Sequence, residues 1–293
     1  MKIDDIRVVS VCVAYKRNDL VRSHLAVLCG ENAPSLVVIV DNGQTLTAEE
    51  VAGWAAVPTR LVDPGENLGP AGGFALGVDI ALASGANLIW LFNDDSRVLP
   101  GCLPALQRAL VGDQRLGIVA PSVRSADGST WLPGSKRRLG RYVGVDREGL
   151  ASAEADVVSF NGALVDARVF EKVGGGPWPE LFMMWEEHEF CVRVRKAGYL
   201  IRSMRGAQIE NDAAGSQGGI RPWRAYYQSR NHIIFSVKNV DAMGLMSCML
   251  RQIRMISIAL RSNRSDKWQL LEARLSGIRD GFAGRTGKTV DPP

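Results

Sequence analysis

The chain has 293 residues, 46% of them hydrophobic and 23% charged, which excludes an intrinsically disordered protein and allows one large α/β domain or two smaller ones. Net charge is only +4, but residues 221–288 hold 13 Lys/Arg against 4 Asp/Glu. An acidic body with a basic C-terminal segment is therefore expected, and that segment suits an anionic surface or a phosphorylated ligand.

The start, Met1-Lys2-Ile3-Asp4-Asp5, is charged, and no secretory leader is read there. No segment reads as a membrane span, because the best C-terminal candidate is interrupted by Arg251 and Arg254. The five cysteines, at 12, 29, 102, 191 and 248, lack paired spacing. Free thiols in a reducing cytoplasm are expected rather than disulfides or zinc.

Ile6 to Tyr15 reads as a first strand, and Asn18 as the cap of a helix running to Leu28. Leu36-Val37-Val38-Ile39-Val40 is a continuously apolar strand, as expected where both sheet faces are covered. It ends in Asp41-Asn42-Gly43. A short helix over 48–54 and a strand over 59–62 follow, then Asn67-Leu68-Gly69-Pro70-Ala71-Gly72-Gly73, with Pro70 suited to a first helical turn. Leu88–Phe92 is the next strand, and it delivers Asn93-Asp94-Asp95 at its end. This alternation predicts a mainly parallel, Rossmann-like sheet flanked by helices. Residues 121–155 read as an irregular excursion, 186–196 as a helix ended by Gly198, 211–220 as a mobile loop, and Trp223 onward as helical. A boundary near 220 then separates a catalytic domain, 1–220, from a basic helical segment, 221–293.

Polar residues recur at strand ends: Tyr15, Asp41-Asn42, Asp63 and Asn93-Asp94-Asp95. In a parallel sheet these ends share one edge, where ligands bind. Asp94 and Asp95 repel one another and invite a divalent cation on phosphate oxygens, or else form an ordinary polar turn. Asp41 accepts from a nucleobase or caps its own turn. Asn67 with Gly69, Gly72 and Gly73 allows close approach to a nucleotide, although Gly73 and Gly77 also suit plain helix packing. The spacing fits neither a P-loop nor a dinucleotide fingerprint.

A second acidic cluster, Trp185-Glu186-Glu187-His188-Glu189, emerges from apolar Phe182-Met183-Met184. It supplies either a general base or carboxylates that complement a helix N-terminus. His24 reads as peripheral. Arg230, in Tyr227-x-x-Arg230-Asn231, binds a diphosphate or forms a surface ion pair. Arg251, Arg254, Arg261 and Arg264 fall on one helical side, which is an interfacial helix or a solvated basic face. No serine or cysteine has a base partner at hydrolase spacing.

Together these segments resemble the family 2 glycosyltransferases of the GT-A fold, with particular likeness to actinobacterial galactofuranosyl- and rhamnosyltransferases of cell-wall glycan synthesis. The carriers are Val8–Tyr15, Val38–Asn42, Asn67–Phe74, Asn93-x-Asp95, Asn161-Gly162-Ala163, Trp185-Glu186-Glu187-x-Glu189 and Tyr227-x-x-Arg230-Asn231, collinear over 6–232. The resemblance implies inverting transfer from a nucleotide-sugar, UDP- or dTDP-linked, to a hydroxyl of a glycan or lipid-linked acceptor. It implies Glu187 as base, Trp185, Glu186 and Glu189 on the acceptor side, and Ala14, Tyr15, Asp41, Asn67, Gly73, Asn93, Asp94 and Arg230 on the donor side. Mn2+ or Mg2+ is implied on Asp95, with Asn93 and Asp212 as further ligands. Two departures stand out: Asn93 replaces a common Asp, and Ile209-Glu210-Asn211-Asp212 occupies the place of a metal-binding His. A cytoplasmic protein, peripheral to an anionic membrane face and without nucleic acid, is expected. A nucleotidyltransferase is the competing class, but Tyr15-Lys16-Arg17-Asn18 is too poor in Gly for a triphosphate loop.

Overall fold

The computed structural model describes residues 5–125, 127–211, 220–239 and 242–291. The first half follows the expected alternation: β1 (Val8–Ala14), α1 (Asn18–Ala26), β2 (Leu36–Asp41), α2 (Ala48–Trp54), β3 (Thr59–Val62), α3 (Gly69–Ala83) and β4 (Leu88–Asn93). Then come β5 (Ser96–Val98), α4 (Cys102–Gly112), β6 (Leu116–Arg124), β7 (Thr130–Trp131), β8 (Gly134–Arg138), β9 (Arg141–Gly144) and β10 (Ser152–Ala155). The second half continues with β11 (Val157–Val158), β12 (Ala163–Asp166), α5 (Ala167–Val173), α6 (Glu186–Lys196), β13 (Leu200–Asn211), α7 (Pro222–Lys238), α8 (Ala242–Arg261) and α9 (Lys267–Phe282).

The main sheet runs β10-β13-β6-β12-β4-β1-β2-β3. Strands β4, β1, β2 and β3 are parallel, and β12 inserts antiparallel between β4 and β6. Period-two alternation sends Val9, Val11, Val13, Ile89 and Leu91 to one face, and Val8, Cys12, Trp90 and Phe92 to the other. Helices α3 and α6 cover the first face through Phe74, Val78, Phe190 and Val194, while α1 and α4 cover the second through Leu25, Leu103 and Leu106. Covering both faces explains why β2 and β4 are apolar up to their polar last residues, Asp41 and Asn93.

Three expectations need correction. The excursion 121–155 is not irregular: part of it belongs to β6, and β8 and β9 form a hairpin joined by β11 into a small second sheet. Its Gly, Arg and Ser content suits exposed edge strands, which carry no apolar run to read. Asn18 does not cap α1; its side chain instead bonds the backbone carbonyl and hydroxyl of Thr45, and Arg17 holds the N-cap position. Arg251 and Arg254 do not break α8, a continuous 20-residue helix long and apolar enough to cross a membrane by length and composition. All five cysteines are free thiols, and only Cys29 is exposed.

Candidate active site

Strand β4 hands the chain to a two-residue turn carrying Asp94 and Asp95. Asp94 is buried, and both its oxygens are taken: Arg17 forms a bidentate ion pair with it, and the Tyr15 N–H donates to Oδ2 at 3.3 Å. Burial pushes this carboxyl up to about 6, although Arg17 opposes the shift. Asp95 differs. Arg17 Nη1 lies 3.4 Å from its Oδ2, while Oδ1 is buried without a hydrogen-bond partner. An orphaned carboxylate oxygen beside a second carboxylate fits one divalent cation completed by phosphate oxygens and water. Among the described residues no cluster of three His, Cys, Asp or Glu stands ready for a metal. Asp212 lies outside the described residues.

His24, expected at the periphery, is fully buried and its Nδ1 lies 2.8 Å from the Ser96 carbonyl, so α1 anchors the strand that follows the acidic turn. Burial lowers this imidazole to about 4 and keeps it neutral.

The end of β2 organises the Gly-rich segment. Asn42 Nδ2 donates to the Gly69 carbonyl at 3.0 Å, and its Oδ1 accepts from the Leu68 N–H. Asn67 Oδ1 accepts from the Gly69 N–H in a local turn. Asp41 accepts from the backbone N–H groups of Gly43, Thr45 and Leu46, so its carboxylate chiefly shapes its own loop. Ala14 closes β1, and its carbonyl accepts the Asn42 N–H. Gly73 is a packing glycine: a Cβ there would meet Val13 Cγ1 at 2.7 Å, and one at Gly77 would meet Val11 Cγ1 at 2.3 Å. These two positions bring α3 onto the sheet and its N-terminus to the edge.

The second acidic cluster starts α6. Glu187 Oε1 accepts from the Phe160 N–H at 2.9 Å and from Ser159 Oγ at 3.0 Å, whereas its other oxygen has no partner among the described residues. Burial raises its pKa. Glu186 is pushed up to about 8 by burial and by Glu187, and its Oε2 is buried and unpartnered. Asn161, next to Phe160, accepts the Asn93 N–H through Oδ1. The short stretch Ser159-Phe160-Asn161 thus bonds to both acidic clusters and brings them to one place. Arg224, in the first turn of α7, lies within electrostatic reach of both Asp95 and Glu186.

The segment entering α6 is strained. Phe182, Met184 and Trp185 have φ of 62°, 67° and 73°, a region non-glycine residues rarely adopt. Asn231 Nδ2 is shared among the carbonyls of Leu181, Met183 and Met184, and Trp185 Nε1 donates to the Gln228 carbonyl. On the opposite side Gly69, at φ +67°, meets the Phe182 carbonyl so closely that a Cβ would lie 2.2 Å from it.

Two assignments change. Arg230 is fully buried and donates to Asn231, Gly287, Thr289 and Leu181, so it locks the C-terminal tail and the strained segment rather than offering itself to a diphosphate. Glu189 is buried, paired with Arg193 and accepting the Trp178 N–H, so it braces α6 instead of facing an acceptor. Trp185 lies flat on His232, 4.0 Å between ring centroids. Arg17, Ser159 and Arg224 were passed over in the sequence. The spacing of Arg17, three residues beyond a strand end, was the one available sign.

No protein-family model matches the chain. It is 32% identical over 200 residues to galactofuranosyltransferase GlfT1 of Mycolicibacterium smegmatis, covering 65% of this chain and 66% of that protein. The chain therefore spans just under two thirds of the length of that relative. It is 26% identical over 302 residues to an N-acetylglucosaminyl-diphospho-decaprenol L-rhamnosyltransferase of Mycobacterium tuberculosis, covering 90% of this chain and 97% of that protein. The crystal structure of GalNAc-T7 with UDP, GalNAc and Mn2+ superposes with a TM-score of 0.62 at 10% identity, over 95% of this chain and 56% of that one. The chain has the GT-A fold of these glycosyltransferases. In this glycosyltransferase fold the acidic turn after β4 and the start of α6 stand on the sheet edge where strand ends meet.

Proposed function

We propose that the protein transfers a sugar with inversion from a nucleotide-sugar, UDP- or dTDP-linked, to a hydroxyl of a glycan or lipid-linked acceptor. The observation that carries this reading is the bridge Ser159-Phe160-Asn161, which ties the Asn93–Asp95 turn to Glu187.

Asp95 would hold Mn2+ or Mg2+ beside the donor. When bound, the metal supplies positive charge that stabilises the departing nucleoside diphosphate. Arg17 neutralises Asp94 and leaves Asp95 available. Arg224 supplies a cation for the donor diphosphate, the contact first assigned to Arg230. Asn42 and Asn67 set the loop at the N-terminus of α3, where backbone N–H groups favour a nucleotide.

Glu187 is the general base. One oxygen is oriented by a backbone N–H and a hydroxyl, and the other is free to take the acceptor proton as the hydroxyl attacks the anomeric carbon. Glu186, protonated at neutral pH, donates rather than accepts a hydrogen bond on the acceptor side. Trp185 forms the apolar wall there.

The exposed side of α8 faces an anionic membrane. Met243, Met246, Leu250, Ile253 and Leu260 are all more than half exposed, with Arg254 and Arg261 beside them. Cys248, Gln252 and Ala259 pack inward, which favours a helix lying on a surface over one crossing it.

Glu187→Gln tests the mechanism. Transfer from a UDP- or dTDP-sugar should fall by about a thousandfold or more, with nucleoside diphosphate affinity within about twofold. Unchanged turnover would remove Glu187 as the base.

A further inference from the structure

The hairpin of β8 and β9 closes in a two-residue loop. Arg138 and Arg141 are its last paired residues, so Leu139 and Gly140 form the turn alone. Both have positive φ, 48° and 74°. That is the type I′ pattern, whose first position suits Asn, Asp or Gly because a larger side chain is strained there. Leu139 nonetheless holds that position and is 82% exposed, more than any other large hydrophobic side chain among the described residues.

A second conflict lies beside it. Arg138 and Arg141 stand directly opposite each other across the hairpin, and both are exposed. Like charges so placed repel. Residues 128–145 include Lys136, Arg137, Arg138 and Arg141 but no Asp or Glu. Glu154 reaches Lys136, nearer the base of the hairpin, at 3.9 Å, and Arg138 and Arg141 enter no ion pair among the described residues.

The two faces of the hairpin differ. Tyr142, opposite Arg137, turns inward and packs edge-on against His188 of α6. The other face carries Arg138, Arg141 and the exposed Val143. The tip is also fixed in place. A Cβ on Gly140 would lie 2.5 Å from the Met243 carbonyl oxygen, so glycine is what lets the turn close onto the start of α8. Leu139 therefore stands beside the point where the exposed apolar stripe of α8 begins, at Met243 and Met246.

An anionic bilayer resolves both conflicts. It takes the apolar tip out of water, and its headgroups neutralise the opposed arginines. A nucleic acid would answer the arginines and leave Leu139 in water, whereas an apolar protein patch would do the reverse.

We propose that the β8–β9 tip is a membrane wedge, with Leu139 inserted into an anionic bilayer and Arg138 and Arg141 on its phosphate headgroups. A helix lying on a surface can roll about its own axis. A second contact off that axis stops the roll, and Tyr142, packed on α6, passes the fixed orientation to the site. The partner rests on the membrane reading of α8, but the residues are separate from that stripe, so the two can fail apart.

Cosedimentation of the full chain with phosphatidylglycerol and with phosphatidylcholine vesicles tests it. Leu139→Asn puts a preferred residue in the turn and removes the apolar tip. It should keep or raise the urea midpoint, yet weaken phosphatidylglycerol binding by about tenfold or more. Arg138→Gln with Arg141→Gln should weaken binding by about tenfold and flatten its salt dependence, with no loss of stability. UDP affinity should stay within about twofold in both. A lower urea midpoint in Leu139→Asn would assign Leu139 to packing within the protein and overturn the wedge. Native vesicle affinity in both variants would overturn it too, and loss of binding only in Met246→Ser with Leu250→Ser and Ile253→Ser would leave α8 as the sole membrane face. Binding of a DNA duplex as tightly as vesicles, unchanged by Leu139→Asn, would make the tip a polyanion contact instead. No binding of the native chain to phosphatidylglycerol at low salt would remove hairpin and helix alike.

Discussion

The side-chain amide of Asn231 donates to the Met183 carbonyl at 2.7 Å, and the same nitrogen reaches the carbonyls of Leu181 and Met184. A single buried amide on α7 thereby holds the left-handed residues that aim Glu186 and Glu187. The Met183 and Met184 carbonyls lose this donor in Asn231→Ala, while the Leu181 carbonyl keeps Arg230 and the Met183 N–H, and each unsatisfied buried acceptor costs about 1–3 kcal/mol. We expect a stability loss of about 2–4 kcal/mol, seen as a lower urea midpoint with unchanged slope. Transfer should fall more than UDP affinity if the strained segment serves the acceptor side as proposed. An unaltered midpoint would show that the backbone conformation stands without Asn231.

The metal prediction turns on the difference between two adjacent carboxylates. Asp94 is saturated by Arg17 and Tyr15, whereas Asp95 keeps a buried oxygen without a partner. Asp95→Ala should abolish the Mn2+-dependent part of UDP affinity, and Asp94→Asn should chiefly loosen Arg17 and lower stability. Titrations with Mn2+ and with EDTA separate these effects. If native UDP affinity is the same with and without Mn2+, Asp95 does not hold a bridging cation.

Much of this was legible in the sequence. Continuous apolar runs at 36–40 and 88–92, each ended by polar residues, marked both the strands and the edge where ligands meet. The pieces read poorly were those whose partners are distant along the chain. Arg230 and Glu189 looked like ligand contacts because charge alone does not reveal burial, and only the fold shows Arg230 inside a cage of carbonyls. His24 looked peripheral because a lone imidazole in a polar helix gives no sign of the Ser96 carbonyl that it meets. The strands within 121–155 lacked an apolar pattern because they are exposed, so period-two reading had nothing to detect.

Glu186 should leave a pH signature. Its pKa stands at about 8 in the folded protein against an ordinary 4.5, raised by burial and by Glu187. The folded state thus holds the proton more tightly than the unfolded state. The resulting stabilisation is fully present below pH 4.5 and is lost as pH rises through 8. Glu186→Gln mimics the protonated form and removes this dependence. The unfolding free energy of the variant minus that of the native chain should therefore rise by about 4 kcal/mol between pH 5 and pH 9, on the order of 1.4 kcal/mol per pKa unit. Urea titrations at both pH values measure it, and taking the difference cancels the opposing contributions of the buried histidines. A flat difference would mean that Glu186 is ionised and solvated.

Helix α8 offers the last prediction. Its exposed stripe of Met246, Leu250 and Ile253 is 61–66% exposed in each case, while only 17% of its apolar window is buried. Apolar side chains in such a row are costly to leave in water, and inserting each into a lipid interface gains about 1.5–3 kcal/mol at full burial. Arg254 and Arg261 add attraction to anionic headgroups that salt screens over about 10 Å at 0.1 M. The native chain should therefore sediment with phosphatidylglycerol vesicles, less with phosphatidylcholine, and progressively less as salt rises. Replacing Met246, Leu250 and Ile253 by Ser should cut vesicle affinity by about a hundredfold or more. The fold should survive, because none of the three packs against the core, and unchanged UDP binding checks this. Absence of native binding to phosphatidylglycerol vesicles at low salt would rule out a lipid surface as the partner of this face.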